Sequence, residues 1–265
     1  MERLSRTDIS SPAVDETGGS RARLRLGAIA GILGIAVQLI ASSMHPGHAQ
    51  PNDSVAAFHE YAASSSWTLI HFGQFAGVLL VVLALVVLAA SLPKDGPAGA
   101  FAVVGAVAAV LVGGVFAVQM AVDGVALRGS INAWVAAPEA QQDAAYLVAS
   151  AVRDLEKGLS GFFHLLNGLA LLTLGTAVAS SRIYPRWLGV FGVLAGIGFM
   201  SGGVVTGHTG FSPEAGSVLS PALIGGLVFI IGTCVSMARR SRQPSGRTAH
   251  SVEAVSRPPI GGIPA

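Results

Sequence analysis

Residues Trp67–Leu92 read WTLIHFGQFAGVLLVVLALVVLAASL, a run with no Asp, Glu, Lys or Arg in which His71 and Gln74 are the most polar members. A helix of about 20 apolar residues crosses the roughly 30 Å hydrocarbon core of a bilayer. In water such a helix would expose greasy side chains on every face, so lipid is the simplest solvent for it. Pro93-Lys94-Asp95-Gly96-Pro97 follows and closes the run with strong turn chemistry.

Working outward from this stretch, five further segments have the same character. The sequence predicts an all-α integral membrane bundle of six transmembrane helices, with spans at about 26–44, 67–92, 99–127, 158–180, 187–207 and 217–237. The membrane domain then covers 24–238, and the polar tails 1–23 and 239–265 are expected to be disordered. The first span is read as retained. It is longer than the roughly 7–15 apolar residues of a signal peptide, and no A-x-A cleavage site follows it.

Composition agrees, with 52% hydrophobic and 11% charged residues against about 25% charged in soluble domains. The net charge of +2 argues for no nucleic-acid partner, and the lipid bilayer is the partner implied. The single cysteine, Cys234, near the end of the last span, is read as a small core residue. Position matters more than total for the basic residues. With both termini in the cytoplasm, only Arg128, Arg153 and Lys157 face outward, which fits the positive-inside bias for an N-in, C-in chain.

Between the third and fourth spans, Arg128 to Lys157 is expected to form a loop in which Pro138 opens an interfacial helix. Tyr146, Leu147, Val148, Val152 and Leu155 recur there at helical spacing, opposed by Asp143, Arg153, Asp154 and Glu156. Phe211–Gly216 is expected to be a turn. Trp67 and Trp187, with Tyr184, sit at span ends where amphipathic rings anchor helices at the headgroup level. Pairs such as Gly27 with Gly31, Gly192 with Gly196 and Gly198 with Gly202 are small-xxx-small patterns that let helix backbones approach.

A weak internal echo relates spans 2–3 to spans 4–5. His71-Phe72-Gly73-Gln74 answers His164-Leu165-Leu166-Asn167, and Gly113-Gly114 answers Gly202-Gly203, as in a parallel repeat about the membrane normal.

Ionisable groups inside a span are costly unless they face one another, water or a bound species. His71, Asp123 and His164 fall at a similar depth, and with Gln74, Asn167 and His208 they form the candidate outward-facing polar pocket. Imidazole and carboxylate together suit haem or a divalent metal, and His45-Pro46-Gly47-His48 offers two further metal-ligand candidates, His45 and His48. The competing reading makes His71 and His164 interhelical hydrogen-bond donors and pairs Asp123 with Arg128. No HExxH, CxxCH, P-loop or nucleophile-elbow motif is present, so no enzyme class is assigned and no catalytic residue is named. Three roles remain: a membrane protein with a His/Asp pocket and no classical enzyme site, a haem- or metal-binding redox protein, and a small-solute or proton-coupled transporter using Asp123.

From His71 to Leu92, and from Tyr184-Pro185-Arg186-Trp187-Leu188-Gly189 to Gly203, the chain resembles uncharacterised bacterial multi-pass membrane families of the domain-of-unknown-function 4386 type. The resemblance implies a small six-or-seven-helix layout in a bacterial cytoplasmic (inner) membrane. It transfers no activity, protein partner or catalytic residue.

Overall fold

The structure, a computed structural model, describes residues 16–50 and 52–243, so most of both expected tails lies outside the described residues. Every regular element within them is helical: α1 (Glu16–Ser43), α2 (Ser54–Ala63), α3 (Trp67–Ala90), α4 (Gly96–Ala121), α5 (Arg128–Val135), α6 (Glu139–Ser181), α7 (Arg186–Thr209) and α8 (Pro213–Arg242). A π-helical segment, Val122–Leu127, joins α4 to α5. Six stretches are long and apolar enough to cross a membrane, one at each of the six spans expected from the sequence; the first two end at Ser43 and Ala90, one and two residues short of expectation. Ile29, Val103, Leu194 and Ile224 lie exposed on their outer faces, as lipid-facing side chains should.

Several boundaries differ from expectation. The first helix starts at Glu16, within the expected tail, and the last runs on to Arg242. The Phe211–Gly216 turn is shorter than expected because Pro213 suits the first turn of a helix, and Ser212 Oγ caps α8 by accepting the Ala215 N–H at 3.2 Å. The largest difference concerns 128–157. The third span continues through the π segment to Val135, and the expected interfacial helix is the beginning of α6, which runs unbroken for 43 residues. At 1.5 Å per residue that helix is about 65 Å long, roughly twice the hydrocarbon thickness.

The facing of that helix is mixed. Arg153 and Glu156 are buried, whereas Leu147, Val148 and Leu155 are exposed; Tyr146 and Val152 pack inward and Asp143 and Asp154 stay outside. Amphipathic periodicity does not fix which way a face turns, and here the inner face carries both polar and apolar side chains. Together α2, α5 and the first part of α6 form a cap over one end of the bundle. The cap has its own small core of Phe58, Tyr61, Trp67, Leu127, Ile131, Trp134 and Ala149.

The main core packs Leu88, Leu171, Leu174, Leu188, Phe229 and Met237 between the long helices. Without a hydrophobic drive between helices in lipid, close backbone approach must supply the attraction. α6 and α7 approach closely enough that a Cβ on Gly196 would lie 2.5 Å from Leu172 N and 2.7 Å from Gly168 O. One on Gly203 would lie 2.7 Å from Gly161 O. Gly113, the counterpart of Gly202 in the sequence echo, faces Leu79 and Val82 side chains at 3.6 Å, a looser contact. At the end opposite the cap, Tyr184 is buried rather than interfacial. Its hydroxyl meets Ser91 Oγ at 2.6 Å, and the Arg240 guanidinium lies 5.2 Å over its ring, locking the two short turns together.

Replacing Gly196 by Leu should therefore destabilise the bundle by about 1–3 kcal/mol through overpacking. Gly216→Ala, where a Cβ meets nothing within 4 Å, should be neutral. Thermal unfolding in detergent compares the two.

Candidate metal centre and polar chamber

A π turn widens the helix and disturbs its regular hydrogen-bond ladder. In the Val122–Leu127 segment the backbone carbonyls acquire side-chain donors from α3: the Trp67 indole N–H donates to Asp123 O at 2.9 Å, and the Thr68 hydroxyl donates to Gly124 O at 2.9 Å. Trp67 is thus a buried strut of the site and not the interfacial anchor expected; Trp187, exposed at its helix start, retains that position. Gly124 is required for the packing, since a Cβ there would meet His71 Cβ at 2.6 Å.

This joint sets the central pair. His71 Nε2 lies 2.9 Å from Asp123 Oδ2, both residues being buried, while His71 Nδ1–H donates to the Trp67 carbonyl at 2.7 Å. With Nδ1 carrying the proton, a neutral ring turns a lone pair toward a carboxylate. The pair must hold either one proton between Nε2 and Oδ2 or a cation in its place. Asp123 is therefore partnered by His71 rather than Arg128, whose guanidinium instead donates to Tyr61 O.

His45, from the connection after α1, completes the group. Its Nδ1–H donates to Pro46 O at 2.7 Å, leaving Nε2 as the available nitrogen. Ligand atoms of His45, His71 and Asp123 all lie within 4.8 Å of one another. The ring of His45 packs 4.9 Å from Trp67 and 5.4 Å from His71 between centroids. Burial holds the His45 pKa below 6.5, against the opposing pull of the Pro46 carbonyl and the Asp123 charge, so the ring is neutral at pH 7.

The connection carrying His45 is clamped in turn by α2. Glu60 accepts the His48 and Ala49 backbone N–H groups, each at 2.9 Å, and these bonds lower its pKa. The clamp is complete above the ordinary carboxylate value and is lost as pH falls through the lowered one. Around the group, Arg153 donates to the Glu156 carboxylate and to the Tyr61 hydroxyl, the latter at 3.1 Å. Its guanidinium lies 4.8 Å from the Phe211 ring centroid and 5.3 Å from that of Tyr61. Two carboxylates thus face one guanidinium.

A cavity of about 340 Å³ opens beside these residues, lined among others by Gln38, His45, Tyr61, Gln119, Asp123 and His164. Buried polar atoms without a partner on its walls include Gln38 Oε1, Gln119 Oε1, Asp123 Oδ1 and His164 Nδ1. Buried polar groups normally find partners, so the chamber is built for polar contents.

Of the residues expected to form the pocket, His71 and Asp123 come together, and His45 joins them. Gln74 lies on the chamber wall, its amide reaching Ser42 Oγ at 3.4 Å, and His164 forms part of the chamber floor. Asn167 lies deeper, in an adjoining apolar cavity. His208 stands apart, exposed at the end of α7 beside a separate depression, with its ring on Val204 O. His48 contributes its backbone to Glu60 and is itself exposed. Sequence reasoning missed Tyr61, Gln119, Arg153 and Glu156. The available signal was Arg153 and Glu156 at i, i+3, which share one face of a helix.

Trp67→Phe, which strands the Asp123 carbonyl, should cost about 1–3 kcal/mol. Gly124→Ala should be at least as damaging because it displaces His71. Thermal unfolding of each variant measures both effects.

No curated protein and no solved structure matches the chain. Residues 24–231, most of the membrane part, match the family DUF4386, described as a domain of unknown function. The chain belongs to that family, as a multi-pass membrane protein of six apolar helices.

Proposed function

We propose that the protein is a metal-binding protein of a bacterial cytoplasmic membrane, holding one divalent transition-metal ion on its outer face through His45, His71 and Asp123. The observation that carries this reading is the fixed tautomer of both imidazoles. Each donates Nδ1–H to a backbone carbonyl at 2.7 Å, which leaves both Nε2 atoms as acceptors beside one carboxylate. Such carbonyl bonds orient metal-ligating histidines and raise their basicity.

Donors around a tetrahedral ion with bonds of about 2.1 Å stand about 3.4 Å apart, so an ion entering between His71 Nε2 and Asp123 Oδ2, now 2.9 Å apart, would spread the pair by about 0.5 Å. Two nitrogens and a carboxylate suit zinc, iron or another first-row metal better than calcium or magnesium, which prefer all-oxygen shells. Three protein ligands leave a position open toward the chamber, where Tyr61 and Glu156 stand.

The outer-face assignment follows the basic residues. Arg21, Arg23, Arg25, Lys94, Arg182, Arg186, Arg239, Arg240 and Arg242 lie at helix ends or turns opposite the cap. Haem between His71 and His164 has less support. The His71 side chain borders a different cavity from that lined by His164, so the two rings do not face one common space.

Purified protein, stripped and reloaded with zinc, should bind one ion per chain by isothermal titration and elemental analysis. His71→Ala and Asp123→Ala should abolish binding, while His48→Ala and His208→Ala should leave it intact. Retention of full affinity in either of the first two variants would overturn the assignment. Glu60→Gln, which loosens the clamp on the His45 connection, should weaken zinc binding about tenfold.

A further inference from the structure

Below the polar chamber lies a second cavity of about 260 Å³, and the two share Gln38, Phe163 and His164 as common wall. Each helix continues the wall downward. On α1 it passes from Gln38 to Ile35, on α4 from Phe116 to Val112, and on α6 from His164 through Asn167 to Leu171. From Asp123 to Val112 is about 16 Å along the helix at 1.5 Å per residue. Beyond Asn167 the lower walls are aliphatic and aromatic, and they include Leu39 and Leu223, both half exposed on the lipid side of the bundle. The two spaces thus adjoin across one layer of side chains, polar above and apolar below, and the lower one borders the lipid side.

The upper half specifies the head group. Gln38 Oε1, Gln119 Oε1 and Asp123 Oδ1 are acceptors without a partner on its walls, so they call for a ligand that donates hydrogen bonds. With no ion bound, the carboxylates of Asp123 and Glu156 oppose an anion, and the Arg153 guanidinium is already engaged by Glu156, Tyr61 and Phe211. We infer that the two cavities join on binding a single-chain membrane amphiphile with a hydroxyl-bearing head, the hydroxyl lying in the chamber beside Asp123 and the chain in the cavity between α1, α3, α6 and α8. The inference rests on the same chamber as the metal reading and supplies its ligand class. The hydroxyl could belong to a lipid alcohol or to a long-chain hydroquinone.

The test is equilibrium binding of radiolabelled dodecanol, dodecylhydroquinone and dodecanoate to the zinc-stripped full chain in nanodiscs, with zinc binding measured separately on the same preparations. A hydroxyl-headed probe should bind about tenfold more tightly than dodecanoate, the effect of one unsatisfied or repelled buried polar group. Which of the two hydroxyl probes binds more tightly identifies the source. Gly226→Leu fills the lower cavity, since its Cβ would sit 3.4 Å from Phe199 and 3.5 Å from Leu171 side chains. It should lower binding of the hydroxyl probes at least tenfold while leaving zinc stoichiometry and thermal stability unchanged. His164→Leu should reduce the preference for hydroxyl heads, and His164→Gln should restore part of it. Equal binding of all three probes, or unchanged binding in a stable Gly226→Leu protein, would overturn the inference. Loss of zinc binding with retained hydroxyl preference would remove the metal reading and support this one.

Discussion

Backbone polar groups inside a bilayer have no water to turn to, and the way α3 answers that demand at one turn of α4 organises the capped end of the molecule. Where the helix widens at Val122–Leu127, Trp67 and Thr68 donate from across the interface to Asp123 O and Gly124 O. These bonds fix the height of α3 against α4, and that height places the His71 ring opposite the Asp123 carboxylate. Indole, imidazole and phenol then stack outward, Trp67 on His71 at 4.5 Å and Tyr61 on Trp67 at 4.3 Å between centroids. The cap is built on this stack. Structural satisfaction and candidate chemistry thus share one set of atoms, which is why a widened turn at this point is tolerated.

The long α6 couples the two environments. Its C-terminal half packs through glycines against α7 within the bundle, and its N-terminal part carries Arg153 and Glu156 into the cap. A buried ion pair is weak evidence for stability, since desolvation offsets much of the attraction. Here the pair lies against Tyr61 and Phe211, which come from α2 and from the α7–α8 connection. Its role is one of registration: it ties α2 and the α7–α8 connection to one helix above the chamber.

The spans were legible because hydropathy is additive along the chain and needs no knowledge of partners. The pairing of His71 with Asp123 was partly legible, since two ionisable side chains at one depth in lipid have few other solutions. The rest depended on direction. The helical periodicity around Arg153 and Glu156 was visible, but periodicity cannot say which way a face turns. Arg153 and Glu156 are buried while Leu147, Val148 and Leu155 are exposed. The π turn has no clear sequence signature beyond a glycine beside an aspartate. His208 was grouped with the site by its end of the bundle alone; α7 turns it to the surface, because end and depth do not fix azimuth around a helix.

His45 differs from the other members of its group in belonging to a connection rather than a span. Its place is set by the grip of Glu60 on the His48 and Ala49 amides and not by the packing of one span on another, so α2 governs the His45 ring although it contributes no side chain to the His45–His71–Asp123 group.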